Sequence, residues 1–442
     1  MILKRLKLHN YRNYQSSEYE FGRRTTVLIG KNGMGKTNLM AALHQVLSFI
    51  FARIQSAPQY KFLASSDQRV VSYGATDAYY SNKISDYSYP IQLHAEGVLP
   101  NGAGLEWDFL QMSESAGLKN SLYSDAHNLF WLYYWTHQNE LPLLVFYSDS
   151  YPHVRSNVGT KMQEKLDSGM PLPANTAYYK WDDERNCTDI WVQYFIMQKK
   201  NAFYSTGKKT NHYVQAIEEK MVEFSQPMLE NVNTELRLSE LRLEARGKRD
   251  VLVYVFANGT RCPADQLPQG YKRLFSIAFD LASRSYMLCK HCNASGIVLI
   301  DEIELHLHPS LAQEILPRLQ RAFPNIQFIV TTHSPLVLTR LHPDDDHFLY
   351  RLTKSAEGME HELLTEDYYG ADANVILENA MEADHRSTDV QQAMDKVQAC
   401  INRKDVPQAK LALAQLKGIT NANHLAVVRM ESLINRLEII GR

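Results

Sequence analysis

The chain has 442 residues, of which 45% are hydrophobic and 22% are charged, as is typical of globular proteins. This length predicts about two or three domain-sized units. A formal net charge of −2 excludes neither protein nor nucleic-acid partners, because a local basic patch can bind DNA. We find no signal peptide and no apolar run long enough to span a membrane, so we expect a cytoplasmic protein without membrane contact.

The first predicted elements are a β-hairpin, a buried strand and a helix. Residues 2–8 alternate apolar and polar types, as in a half-buried strand, and residues 17–21 are predicted to pair with them. Residues 24–29 predict a buried strand, and residues 38–47 predict a helix.

Between this strand and this helix lies the segment G-K-N-G-M-G-K-T, residues 30–37, which fits the pattern G-x-x-x-x-G-K-[ST] at every fixed position. Small residues let consecutive backbone N–H groups surround a phosphate, and the helix N-terminus adds its dipole. Lys36 supplies a positive charge, and the Thr37 hydroxyl can ligate Mg²⁺. We therefore predict ATP and Mg²⁺ as ligands. The residues predicted to bind the nucleotide here are Gly30, Asn32, Gly33, Gly35, Lys36, Thr37 and Asn38.

The middle of the chain predicts a β-lobe followed by helices. Residues 69–110 alternate again between turn signals, which indicates an antiparallel β-lobe beside the nucleotide site. Residues 141–147 predict another buried strand. From 151 to 235 the pattern is mostly helical, and the aromatic residues within 189–196 are more typical of a core than of a cofactor site. We interpret this stretch as an insertion between two halves of one ATPase.

Two later strands carry the predicted chemistry. One ends in Asp301 and Glu302; in P-loop enzymes the first such acid holds Mg²⁺ and the second orients or deprotonates the attacking water. We therefore predict Asp301, together with Thr37, as the metal residues and Glu302 as a catalytic residue. The next strand places His333 at the carboxyl edge of the sheet, where it can donate to the γ-phosphate, so His333 is the second predicted catalytic residue.

Two other segments suggest alternative metal sites. Residues 289–292 read C-K-H-C and resemble half of a zinc site, but no second Cys/His pair follows at a suitable spacing. We therefore prefer two reduced cysteines before a buried strand. The acidic run at 344–346 could suggest a metal cluster, yet no acid-tipped strand pattern supports one, so a solvated turn is the preferred interpretation.

The C-terminal part predicts a small helical module. Apolar residues recur at helical spacing within 390–401 and within 427–437, and Asp405 and Gly418 can begin and end a helix between them. Its core is too small for a self-sufficient domain, so we expect it to dock on something. The predicted divisions are an ATPase lobe at 1–150, a helical insertion at 151–235, a second ATPase lobe at 236–375 and the helical module at 376–442.

Several segments together resemble the RecF/SMC/OLD branch of ABC-type ATPases. They are residues 8–14, the phosphate loop, residues 299–309 and residues 331–335, so the resemblance runs nearly from end to end. With residues 267–273 and 373–377, the chain also resembles the stand-alone ATPases of bacterial anti-phage systems, such as the ATPase subunit of Septu, which is also found with some retrons. The implied fold is an α/β P-loop ABC-type ATPase head.

The resemblance implies a head-to-head dimer with ATP between the phosphate loop of one subunit and the signature segment of the other. Gln269 and Gly270 would face the γ-phosphate across the interface, and Arg12 would touch the nucleotide. It also implies a homo-oligomer built from such dimers and a partner HNH nuclease encoded beside it. Pro268 replaces the signature serine, and no clear Q-loop glutamine follows residues 141–147, so we expect slow hydrolysis.

Three functional hypotheses follow from these motifs. The first is a regulatory ATPase of a defence complex that controls a separate HNH nuclease. The second is a RecF/SMC-like ATPase of DNA repair or recombination, although the insertion is too short and too aromatic for a coiled-coil arm. The third, an ABC transporter motor, is disfavoured by the insertion and the missing Q-loop. DNA contact stays open at two basic stretches, within 199–209 and 237–249.

Overall fold

The computed structural model describes the chain in segments that form two compact units. The described residues are 1–51, 70–74, 76–81, 83–117, 123–136, 141–149, 160–167, 171–182, 188–204, 211–228, 234–247, 249–355, 358–382, 388–420 and 425–440. The two units are Met1–Ala371 and Asp372–Arg442. The divisions predicted within the first unit stay predictions, because all of them lie inside one compact body.

Strands and helices follow one another along the first unit, whereas the second is helical. In chain order, the strands are β1 (Ile2–Tyr11), β2 (Tyr14–Glu20), β3 (Thr25–Ile29), β4 (Tyr79–Ser81), β5 (Asp86–Ser88), β6 (Ile91–Val98), β7 (Gly104–Gln111), β8 (Leu143–Tyr147), β9 (Leu238–Arg246), β10 (Arg249–Phe256), β11 (Arg261–Pro263), β12 (Gly296–Ile300), β13 (Ile326–Thr331), β14 (His347–Ser355) and β15 (Gly358–Leu364). The helices are α1 (Lys36–Leu47), α2 (Tyr123–Thr136), α3 (Thr160–Asp167), α4 (Thr188–Tyr204), α5 (His212–Ser225), α6 (Gln269–Cys289), α7 (Pro309–Ala312), α8 (Ile315–Ala322), α9 (Pro335–Leu338), α10 (Ala373–Asn379), α11 (Thr388–Asn402), α12 (Val406–Ile419) and α13 (Leu425–Ile440).

The central sheet has the strand order β15-β14-β3-β13-β12-β8, and only β15 runs antiparallel to its neighbour. Every residue of β3, β12 and β13 is buried, which explains why these strands are nearly continuous apolar runs in the sequence. Because the strands are parallel, the carboxyl ends of β3, β13, β12 and β8 meet at one edge of the sheet. Ligands bind at this edge in open α/β sheets.

The predicted antiparallel β-lobe is a second sheet with the order β2-β1-β6-β7. Its β1–β2 hairpin is the one predicted from the sequence, with Leu6 opposite Tyr19. Trp107 of β7 connects the lobe to α1, because its indole Nε1 donates to the carbonyl oxygen of Val46 at 2.9 Å. The same ring stacks on Phe49 with a centroid separation of 4.3 Å. The β-lobe is therefore joined directly to the helix that follows the phosphate loop.

The described part of the predicted insertion contains α3, α4 and α5. Three residues of the aromatic segment on α4, namely Ile190, Trp191 and Phe195, have no exposed surface, so their predicted place in the core is confirmed. The ring of Phe195 lies edge-on to Phe279 of α6 at 5.5 Å. The insertion thus packs on α6.

A buried charged group joins α6 to β8. The Asp280 carboxylate accepts a hydrogen bond from Nε of Arg284 and another from the hydroxyl of Tyr147, each at 2.7 Å. Both charged side chains are almost fully buried. Arg284 also donates to the backbone carbonyl oxygens of Ala177 and Tyr179. This network holds α6, the last residue of β8 and the 3₁₀ turn at 174–178 together.

In the second unit, the helices α11, α12 and α13 pack on one another around a shared apolar core. Its core consists of Ala393, Met394, Val397, Ile401, Ala409, Leu413, Leu416, Val427, Met430 and Ile434. The predicted helical spacing on both outer helices is therefore confirmed, and the middle helix begins after Asp405, whose side chain caps the backbone N–H of Gln408. These helices bury their apolar faces on one another.

The two cysteines of the C-K-H-C segment contact different backbone carbonyl groups. The Cys289 thiol donates to the carbonyl oxygen of Leu141, and the Cys292 thiol donates to that of Ala216, each at 3.6 Å. Burial raises the pKa of the Cys292 thiol to about 12, so this side chain stays protonated. Both cysteines are reduced thiols that make these backbone contacts, which agrees with the preferred interpretation.

The acidic run at 344–346 forms a turn before β14. Oδ1 of Asp344 accepts hydrogen bonds from the backbone N–H groups of Asp346 and His347, each at 2.8 Å. Within the described segments, no group of three or more His, Cys, Asp and Glu side chains is placed to hold a metal ion. The same segments contain no helix with the length and apolarity needed to cross a bilayer.

We expect Asp280→Ala to destabilise the fold strongly. Removing one partner of a buried ion pair leaves the other charge uncompensated, which costs about 3 kcal/mol in the free energy of unfolding. A matched control is Glu244→Ala, which removes an exposed pair with Arg261 and costs at most about 1 kcal/mol. Urea unfolding followed by circular dichroism compares the two variants, and equal losses would contradict a structural role for the Asp280 network.

Candidate nucleotide-binding site

The phosphate loop follows β3 and leads into α1, as the sequence predicts. Gly33 and Gly35 have φ angles of 82° and 85°, in the left-handed region that favours glycine. Gly35 is also the residue before the first turn of α1, and a Cβ atom there would lie only 2.7 Å from the hydroxyl of Tyr14. That hydroxyl donates to the carbonyl oxygen of Gly35 at 3.0 Å. The β1–β2 hairpin therefore contacts the loop where α1 begins.

Lys36 is the buried cation of the loop. Its Nζ donates to the carbonyl oxygens of Gly30 and Lys31, at 2.5 and 3.2 Å, and the residue is only 6% exposed. Burial lowers the pKa of Lys36, whereas the negative charges of Asp301, Glu302 and Glu304 act in the opposite direction. The charge of the lysine predicted to bind phosphate is therefore influenced by the acids that follow β12.

Thr37 and Asp301, the two predicted metal residues, are brought together. Burial raises the pKa of Asp301, and hydrogen bonds from the hydroxyl groups of Thr331 and Thr37 lower it. The bond from Thr331 is 2.5 Å long, and Asp301 is only 4% exposed. Carboxylate and hydroxyl oxygens are ligands of Mg²⁺, and a buried carboxylate is stabilised by a nearby cation. This donor set fits a magnesium ion.

The two predicted catalytic residues also lie close together. Nε2 of His333 is 3.9 Å from Oε1 of Glu302, and each side chain is 35% exposed. The backbone N–H of Glu302 donates to Oγ1 of Thr331 at 2.8 Å. Solvent can therefore reach both side chains at the edge of the sheet, as activation of a water molecule requires.

Arg12 is held in a network that the sequence did not reveal. Its Nε donates to Oδ1 of Asp77 at 2.7 Å, and its Nη1 donates to Oδ1 of Asn38 at 3.2 Å. Asn38 donates in turn to Oδ1 of Asn13 at 2.8 Å. The two predicted residues Arg12 and Asn38 are thus in contact. Asp77 lies 65 positions from Arg12, and no pattern in the sequence around it indicated that it belongs to the site.

The signature residues lie at the start of α6 and contact a different part of the site. Gln269 is exposed, and a Cβ atom on Gly270 would lie 2.8 Å from the carbonyl oxygen of His306. Nη2 of Arg273, one turn later, donates to the carbonyl oxygens of Asp301 and Glu302, each at 3.0 Å. The first turn of α6 therefore packs against the loop after β12.

The two basic stretches contain many ion pairs. Lys200 pairs with Asp250 at 2.6 Å, Lys199 pairs with Glu218, and Arg242 pairs with Glu240. Residues 205–210 and 248 lie outside the described segments. Neighbouring acids therefore offset part of the positive charge of the described residues in these stretches.

Comparison with known proteins supports the class that the fold and site define. A family model described as the RecF/RecN/SMC N terminal domain matches residues 2–359. The chain belongs to this family. Its parallel sheet, phosphate loop and acid-tipped strand make it an ABC-type P-loop ATPase of the RecF/SMC type.

Three relatives are named as probable ATPases of retrons or as a Septu protein. The chain is 26% identical over 367 residues to the retron Vc95 probable ATPase of Vibrio cholerae, which covers 76% of this chain and 71% of that one. It is 35% identical over 200 residues to the retron Ec83 probable ATPase of Escherichia coli, covering 43% and 32% of the two chains. It is 34% identical over 146 residues to the Septu protein PtuA of Bacillus mycoides, covering 30% and 20%. The last two matches span less than half of each relative.

We expect Lys36→Ala to lose most of its ATP affinity, because the ammonium group neutralises the β- and γ-phosphates. Lys31→Ala is the matched control, since Lys31 is an exposed lysine of the same loop at a position that the motif does not fix. Titration of both folded variants with a fluorescent ATP analogue measures the difference. Equal affinity of the Lys36 variant and the wild type would contradict the assignment of this loop.

Proposed function

We propose that this protein is the ATP-binding regulatory ATPase subunit of a bacterial anti-phage defence complex that controls a separately encoded HNH nuclease. The main support for the proposal is that the phosphate loop, Asp301, Glu302 and His333 lie together at one edge of the sheet. The setting in defence is supported by the similarity to retron ATPases and to PtuA.

Binding of ATP would use residues at the start of α1. Backbone N–H groups of the loop and Lys36 bind the phosphates, and Arg12, held by Asp77 and Asn38, reaches the nucleotide. Thr37 and Asp301 hold Mg²⁺, which supplies positive charge to the β- and γ-phosphates.

Hydrolysis would be slow in this proposal. Glu302 accepts the proton of the attacking water, and His333 donates a hydrogen bond to the terminal phosphate. Pro268, which precedes α6, provides neither the hydroxyl nor the backbone N–H of the serine it replaces. Beyond Tyr147, the last residue of β8, the chain continues as Ser148-Asp149 without a glutamine. ATP binding, rather than rapid turnover, would then be the switch.

Assembly into head-to-head dimers would place a second copy against the start of α6. Gln269 is exposed there, so a phosphate bound to another subunit can reach it. ATP can shift the assembly only through its different affinity for the two states, and a nucleotide shared between subunits binds the dimer better. Larger homo-oligomers are built from these dimers.

The nuclease activity would belong to a partner protein. The sequence has no H-N-H constellation of its own. Acidic partners offset part of the positive charge of the two basic stretches. We therefore assign DNA binding mainly to the complex that this protein forms with the nuclease. The alternative function is a RecF/SMC-like ATPase of DNA repair or recombination, which the shared family favours.

We expect Glu302→Gln to retain ATP binding and to abolish hydrolysis, because the amide keeps the shape of the side chain and loses the base. The variant should also accumulate as the ATP-bound assembly in light scattering. We further expect wild-type turnover to stay well below ~10 s⁻¹, a median enzyme rate. Hydrolysis by the variant at the wild-type rate would contradict the role of Glu302.

We expect the native protein to co-purify with the product of a neighbouring HNH nuclease gene. A variant lacking residues 372–442 keeps every proposed nucleotide-binding residue, so it should still bind ATP. If the helical unit holds the oligomer or the nuclease, the variant will have a lower mass in light scattering or will lose the partner. A neighbourhood of repair genes and no nuclease partner would favour the alternative function.

A further inference from the structure

Glu304 is an acid of the site that the functions proposed above do not use. It lies in the loop between β12 and α7, two residues after Glu302. The backbone of this loop is attached to β13, because the N–H of Ile303 donates to the carbonyl oxygen of Thr331 at 3.1 Å. Ile303 itself has no exposed surface. The Glu304 side chain therefore extends from a fixed piece of backbone.

The Glu304 carboxylate contacts the residue predicted to sense the terminal phosphate. Its Oε1 accepts a hydrogen bond from the backbone N–H of His333 at 2.7 Å. A bond from an N–H group to an ionised carboxylate is stronger than one between neutral groups. Because it fixes the backbone from which the imidazole extends, this bond restricts where the imidazole can lie.

The second oxygen of the same carboxylate is shielded. Oε2 of Glu304 has almost no solvent contact and no hydrogen-bond partner among the described residues. The charge also acts on Lys36 by Coulomb attraction. The carboxylate therefore bonds to the backbone of His333 through one oxygen, keeps the other shielded from solvent, and is near enough to Lys36 for its charge to act on the lysine.

We propose that Glu304 is a positioning residue that fixes His333 to meet the terminal phosphate, and so sets the preference of the site for ATP over ADP. This inference rests on the proposed function of the site as an ATP site. ADP lacks the phosphate that His333 would contact. Losing the position of His333 therefore weakens ATP binding and leaves ADP binding nearly unchanged.

The test measures the affinities of the full chain for ATP and ADP with Mg²⁺, by competition against a fluorescent ATP analogue. We expect Glu304→Ala to reduce the ratio of ATP to ADP affinity about fivefold, since it removes a charged acceptor. Glu304→Gln keeps an acceptor oxygen, so its ratio should stay within about twofold of the wild type. Glu360→Ala, an exposed acid on β15, is the matched control and should change nothing.

A double variant separates positioning from a general loss of stability. If Glu304 acts through His333, adding Glu304→Ala to His333→Ala should cause no further loss in the ratio. Circular dichroism checks that each variant is folded, and Glu304→Leu replaces the alanine variant if that one fails to fold. The leucine variant also lacks an acceptor and should lose the preference.

Three results would overturn the inference while leaving the ATP site in place. They are an unchanged ratio in folded Glu304→Ala, a loss in Glu304→Gln as large as in the alanine variant, and additive losses in the double variant. A wild-type protein that binds neither nucleotide would instead overturn the proposed function and this inference together.

Discussion

The Thr331 hydroxyl connects the two acids of the site to the end of β13, the strand that precedes His333. It donates to Oδ1 of Asp301 at 2.5 Å and accepts from the backbone N–H of Glu302 at 2.8 Å. A single side chain can span both because β12 and β13 are adjacent and parallel, so their carboxyl ends lie at the same edge. The positions of both acids relative to His333 depend on this short polar bridge.

The charges around this bridge are suited to a ligand that carries both phosphates and a cation. Burial lowers the pKa of Lys36 and raises the pKa of Asp301, so each charge is less stable than it would be in water. Three neighbouring acids oppose the change at Lys36. Phosphates beside the lysine and Mg²⁺ beside the aspartate would stabilise both charged forms, which gives binding a direct electrostatic cause.

Helix α6 connects this charged edge to the surface proposed for dimer formation. Its first turn packs Gly270 against the loop after β12, and Arg273 donates to the carbonyl oxygens of Asp301 and Glu302. Farther along, Asp280 accepts from the hydroxyl of Tyr147 at the end of β8. The helix that we propose to meet a second subunit is therefore bonded to the ends of two strands of the site.

The sequence by itself determined the phosphate loop, the acids Asp301 and Glu302, the position of His333 and the burial of Trp191 and Phe195 on α4. Each of these follows from a local pattern, such as an apolar strand with a polar tip or a helical repeat. Only the tertiary structure decided the strand order, the contact of Asp77 with Arg12 and that of Glu304 with His333. These two contacts join residues that are 65 and 29 positions apart in the sequence. A local periodicity predicts a strand or a helix, but it does not indicate which distant segments will lie side by side in the folded protein.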